Sequence, residues 1–116
     1  MRTQITKIGA QVSAFNEDKI LILFGEEAPE ALADYSIVHQ PLTSPEKPPF
    51  EMGKTLRLGD EEYRIVGVGD RANEQFCQIG HVCFYFSGER KDLLPGAVQL
   101  YPEKLPNLKV GDILEF

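Results

Sequence analysis

Basic charge is the first thing this chain is short of. Twelve lysines and arginines face eighteen acidic residues, a formal net charge of −6. With no basic surplus to neutralise phosphates, no nucleic-acid partner is expected. Long apolar runs are missing too: the longest, Ile20 to Phe24, is strand-sized against the ~20 residues that a membrane-spanning helix needs. The opening residues Met1-Arg2-Thr3-Gln4 carry no signal-peptide stretch. Cysteine is limited to Cys77 and Cys83, whose spacing fits neither CxxC nor a zinc knuckle. Two reduced thiols in a cytoplasmic protein are therefore expected. His39 and His81 are the only histidines and cannot close a zinc site by themselves. P-loop, GxGxxG, GxSxG and HExxH motifs are all absent, so neither a cofactor nor a metal is expected.

What is present suits a small globule. A chain of 116 residues and 13.0 kDa makes one domain, residues 1–116. Folding it should leave about 6,300 Å² of surface exposed, roughly a third of the extended chain's. A composition 42% hydrophobic and 26% charged excludes global disorder.

Period-two alternation dominates and predicts strands over Thr3–Gly9, Lys19–Gly25, Ser36–His39, Lys54–Leu58, Glu62–Val68, His81–Phe86, Ala97–Tyr101 and Asp112–Phe116. Gly59-Asp60 and Gly111-Asp112 mark tight turns. Helix is scarce: one short piece over Pro29–Asp34, and one that Asp70 caps and Gly80 ends, with Ala72, Phe76 and Ile79 on one side. The expected fold is all-β, a small closed or partly open barrel of short, mostly antiparallel strands with one or two short helical connectors. Gln40 to Gly53, with prolines at 41, 45, 48 and 49, reads as a binding loop or edge flap. Carboxylates such as Glu26, Glu27, Glu89 and Asp92 fall mostly in predicted turns, where solvated charge is the default. An edge strand such as Ala97–Tyr101 leaves room for a homodimer.

The two histidines stand at strand mouths. His39 closes Ser36-Ile37-Val38 and opens onto the proline-rich loop; His81 follows Gly80 and shares a sheet face with Cys83 and Tyr85. Taken alone, such histidines are as readily surface or hydrogen-bonded structural residues.

An ordered series of short matches runs nearly end to end. It comprises Thr3-x-Ile5-Thr6-Lys7-Ile8-Gly9-Ala10, Leu21-Ile22 with Phe24, Glu27-Ala28-Pro29 through Leu32 to Tyr35, and Ile37-x-His39. Leu58-Gly59, Val66-x-Val68-Gly69, Gly80-His81-Val82 with Phe86, Pro95-Gly96-x-Val98 and Gly111-x-x-Leu114-x-Phe116 follow. In these the chain resembles the glucitol/sorbitol-specific IIA component of the bacterial phosphoenolpyruvate-dependent sugar phosphotransferase system. The pattern is departed from after His39, where Gln40-Pro41 and the prolines to Pro49 replace Gly-containing residues.

The resemblance implies a phosphotransferase. His39 would take a phosphoryl group at Nε2 from the histidine-containing phosphocarrier protein and pass it to a cysteine of the membrane-associated IIB/IIC permease components. Such a nucleophile should be neutral at cytosolic pH and open to solvent. His81 is the second candidate, as a stabiliser of the phosphoryl oxygens. Its bland alternative is a hydrogen bond to a neighbouring carbonyl. Thr43 and Ser44 offer hydroxyls, and Val38, Leu42 and Phe50 offer apolar contact around His39. The rival function is a non-enzymatic β-barrel binding module that senses sugar-pathway status through protein contacts; a buried, fully hydrogen-bonded His39 would favour it.

Overall fold

The computed structural model describes residues 1–44, 47–86 and 93–116. Eight strands form one closed barrel: β1 (Arg2–Ile8), β2 (Ile20–Gly25), β3 (Ile37–Pro41), β4 (Thr55–Leu58), β5 (Glu61–Val68), β6 (Val82–Tyr85), β7 (Ala97–Tyr101) and β8 (Ile113–Glu115). Each lies within a residue or two of the stretch that alternation predicts. Around the barrel they run β1-β3-β2-β6-β7-β5-β4-β8. Pairing is antiparallel except for β2 with β3 and β6 with β7. The first parallel pair follows from its connection, since the short helix α1 (Glu30–Ala33) carries the chain back across the end of the sheet.

Alternation also sorts the core. Leu56 and Leu58 on β4, Tyr63 and Ile65 on β5, and Val82 and Phe84 on β6 all point inward and are buried. Gly59, at φ +65°, supplies the left-handed residue of the β4–β5 hairpin. Helix α2 (Ala72–Ile79) covers one end of the barrel, and its Phe76 packs edge-on against Phe50 and Phe116 at ring separations of 5.1 and 5.2 Å.

Four expectations change. β7 lies between β6 and β5, so it is no edge strand, and closure removes that route to a dimer. Asp70 does not hold the cap position of α2; Arg71 does, and its side chain makes no capping hydrogen bond, its guanidinium being engaged with Glu74 at 2.8 Å. Ile79 stands in the last turn, half exposed, while Ala72 and Phe76 are buried. A 3-10 turn at Val12–Phe15 has no counterpart in the expected elements.

The proline-rich stretch is less of a flap than its composition suggests. Its first residues extend β3, and its last part drops Phe50 into the core. Asn73 of α2 clamps that residue by accepting from the Phe50 N–H at 2.8 Å and donating to its carbonyl at 2.9 Å. Pro45, Glu89 and Asp92 lie outside the described residues.

Candidate functional site

His39 is the middle residue of β3, not its end. The strand runs on because Gln40 and Pro41 pair with Gln4 and Thr3 of β1. Pro41 is tolerated at the strand's last position, where a missing N–H does least harm. His39 sits opposite Ile5 on one side and Gly25 on the other. It shares a face with Ile37, so its ring turns into the barrel, and none of it is exposed. The expected open, solvent-facing imidazole is corrected on this point.

Both ring nitrogens have partners. Nδ1 meets the Thr3 hydroxyl at 2.7 Å, and Nε2 meets the Gly80 carbonyl at 2.8 Å. A carbonyl only accepts, so Nε2 carries the hydrogen. In the neutral ring Nδ1 then accepts from Thr3 Oγ1. One face of the ring lies parallel on Phe76, with centroids 5.2 Å apart and planes 9° apart. Burial lowers the ring's pKa below the ordinary value of 6.5; the hydrogen bond that Nε2–H donates to the Gly80 carbonyl and the charge of Glu26 oppose this more weakly. The imidazole is therefore neutral near pH 7.

Above the ring opens a groove of about 560 Å³. His39, Phe76 and Gly80 form part of its lining, Leu32 and Ile79 give it apolar walls, and the acidic Glu26 and Glu27 also line it. Cys77 lines it too, exposed on α2. The Gly80 turn is held close to the end of β2: a Cβ on Gly80 would come within 2.7 Å of the Gly25 nitrogen. Glycine at both positions is what permits that approach.

His81 is placed elsewhere. Its Nδ1–H donates to the Leu23 carbonyl at 3.2 Å, and its ring lies 4.6 Å from that of Phe24. It is not among the residues that line the groove, so the two histidines do not converge on one space. Thr43 and Ser44 do not join His39 either. They line a separate cavity of about 340 Å³ with Lys47 and Lys54, and Thr43 Oγ1 accepts from the Arg2 N–H at 2.8 Å. Val38 and Phe50 are buried and Leu42 is half exposed. Among the described residues no group of three His, Cys, Asp or Glu side chains is placed to hold a metal ion.

Thr3, Phe76 and Gly80 are site residues that the sequence reading passed over. Thr3 carried a usable signal: it falls in register with Ile5, so alternation alone puts a polar side chain on the inward face.

Comparison with known proteins agrees along the whole chain. The model of the glucitol/sorbitol-specific IIA component of the phosphotransferase system matches residues 1–115. The glucitol/sorbitol-specific EIIA components of Shigella flexneri and Escherichia coli (strain K12) are each 30% identical over 115 residues, covering 99% of this chain and 92% of theirs. The crystal structure of a phosphotransferase-system IIA component from Enterococcus faecalis V583 is similar with a TM-score of 0.87 at 26% identity, covering 100% of this chain and 98% of that one.

Proposed function

Because this chain belongs to the glucitol/sorbitol-specific IIA components of the phosphotransferase system, we propose that His39 is the residue through which it passes a phosphoryl group. The protein is a phosphotransferase of that system, and residues 1–116 act as its single IIA-type domain. The observation that carries the assignment is the place of His39: among the described residues it is the one histidine lining the groove, with its Nε2 edge beside Gly80, which lines the groove as well.

The chemistry suits a neutral imidazole. Its lone pair attacks the phosphorus of an incoming phosphohistidine in line, and because donor and acceptor are both imidazoles the step runs readily in either direction. Such transfers pass through a largely dissociative transition state, so positioning and charge stabilisation do most of the work. The groove presents apolar area with a few charges, as suits a partner that docks and leaves. On this reading the donor is the histidine-containing phosphocarrier protein, the acceptor is a cysteine of IIB in the membrane-associated IIB/IIC permease, and the site of action is the cytoplasm.

The alternative is a binding module without catalysis. It is favoured by one observation, the complete burial and double hydrogen bonding of His39. Labelling separates the two. The protein is incubated with phosphoenolpyruvate, enzyme I and the phosphocarrier protein and assayed for acid-labile, alkali-stable phosphate. His39→Ala abolishes incorporation on the phosphotransfer reading, and label that survives the change overturns it. In the same assay, slower transfer by His81→Ala supports a stabilising role for that ring; an unchanged rate leaves it a structural residue, bonded to Leu23 and packed on Phe24.

A further inference from the structure

The two hydrogen bonds of His39 are chemically unequal, and that inequality matters for any reaction at the ring. Gly80 offers a carbonyl, which only accepts, so in the resting protein Nε2 is protonated and has no lone pair for phosphorus. Nδ1 holds the lone pair, but its partner Thr3 is wholly buried and does not line the groove. A phosphoryl group arriving through the groove meets the nitrogen that is protonated at rest. Reaction at Nε2 requires the other tautomer, with the hydrogen on Nδ1 and an acceptor waiting there. A carbonyl or an N–H at that position would fix one tautomer; a hydroxyl serves both.

We propose that Thr3 is a positioning residue for phosphoryl transfer: its hydroxyl donates to Nδ1 of His39 at rest and accepts from Nδ1–H during reaction, which presents Nε2 as the reacting nitrogen. The proposal rests on the reading of His39 as the phosphoryl acceptor. The site is built for it. Thr3 lies on β1 between β3 and β8, opposite Pro41 and Leu114. Phe76 stacks on one face of the ring and sets its plane.

The proton count closes. Before transfer, Nε2 gives up its proton and Nδ1 gains one, the Thr3 hydroxyl turns its own hydrogen away so that Oγ1 accepts, and Nε2 leaves the Gly80 carbonyl. The donor's N–P bond then breaks as the Nε2–P bond forms, and the donor ring departs as a neutral imidazole. His39 becomes Nε2-phosphorylated with Nδ1–H donating to Thr3 Oγ1. When a cysteine thiolate attacks, the Nε2–P bond breaks and an S–P bond forms. Because Nδ1 kept its proton, His39 also leaves as a neutral imidazole and not as an imidazolate.

The test pairs Thr3→Val, which keeps shape and loses the hydroxyl, with Thr3→Ser, which keeps the hydroxyl. Nitrogen-15 NMR of the His39 ring reads the tautomer, and labelling from phosphoenolpyruvate through enzyme I and the phosphocarrier protein reads the rate. Thr3→Val is expected to slow phosphoryl acceptance by about 10- to 100-fold, the cost of removing the hydrogen-bonded partner of a metal-bound histidine. It should also change the ring's tautomer balance and pH–rate profile, while Thr3→Ser stays near the wild-type rate. A folded Thr3→Val protein with wild-type rate and nitrogen shifts overturns the proposal, as does a wild-type phosphoprotein carrying its phosphate on Nδ1. Should Thr3→Val fail to fold, the wild-type phosphoprotein and Thr3→Ser decide. Persistent label in His39→Ala would instead remove the reading beneath it, so the two failures are distinct.

Discussion

At the scale of single residues, burying His39 ties its ionisation to folding. The folded ring is held neutral by desolvation, whereas the unfolded ring titrates near 6.5. Below that pH the unfolded chain binds a proton that the folded protein resists, so stability is full above about pH 6.5 and falls as the pH drops toward the lowered folded value. Glu61 acts in a separate, lower window. The Tyr63 hydroxyl bond and the Lys104 ammonium hold its pKa below the ordinary 4.5, so its contribution is present above that value and lost beneath it. Melting temperature measured from pH 8 to pH 5 should decline through the histidine range in the wild type and decline less in a folded His39→Gln variant. Equal slopes in the two proteins would mean that the ring is not the titrating group. None of this could be read from position 39 in the sequence, because a histidine beside a proline-rich stretch looks like a strand end until Gln40 and Pro41 are seen pairing with β1.

At the scale of elements, the strands were legible and their neighbours were not. Alternation in Leu56-Arg57-Leu58 or Val82-Cys83-Phe84 announces a half-buried strand whatever lies beside it. It does not show that β2 and β3 run parallel, since that depends on how α1 returns the chain. The α2–β6 turn is the joint where local signal and tertiary demand coincide. Gly80 ends the helix at φ +70°, its N–H bonding the Phe76 carbonyl at 2.9 Å, and its own carbonyl receives His39. Gly80→Ala would strain the left-handed backbone and push a methyl to within 2.8 Å of the Gly25 Cα and 3.1 Å of His39 Nε2. A loss of about 1–3 kcal/mol in urea unfolding is expected, together with an altered rate of phosphoryl acceptance. An alanine variant that unfolds like the wild type would show that the turn relaxes freely, and the Gly25–Gly80 contact would then not be what fixes the carbonyl.

At the scale of the whole molecule, the barrel depends on its shortest strand. β8 has three residues, yet it pairs with β1 through Arg2, Thr3 and Gln4 and with β4 through Arg57 and Leu58. The Phe116 N–H, just beyond it, donates to the Met1 carbonyl at 2.9 Å, so the two ends of the sequence meet at the seam. Closure thus joins residues more than a hundred positions apart, and loop-closure entropy opposes it until the rest of the sheet is in place. Leu114 is the side chain that makes the seam worth closing: it is fully buried, opposite Thr3 on one side and Leu58 on the other. Truncation to alanine should cost roughly 2–5 kcal/mol, as for other buried leucines. The loss should also be uneven. Amide hydrogen exchange in Leu114→Ala is expected to quicken most in β1 and β4, which lose their common neighbour, and least in β2 and β6, which keep theirs. Uniform acceleration across all eight strands would instead mean that the barrel opens only as a unit. In that case Thr3, which faces Leu114 across the seam, would be held by the whole fold and not by the strand beside it.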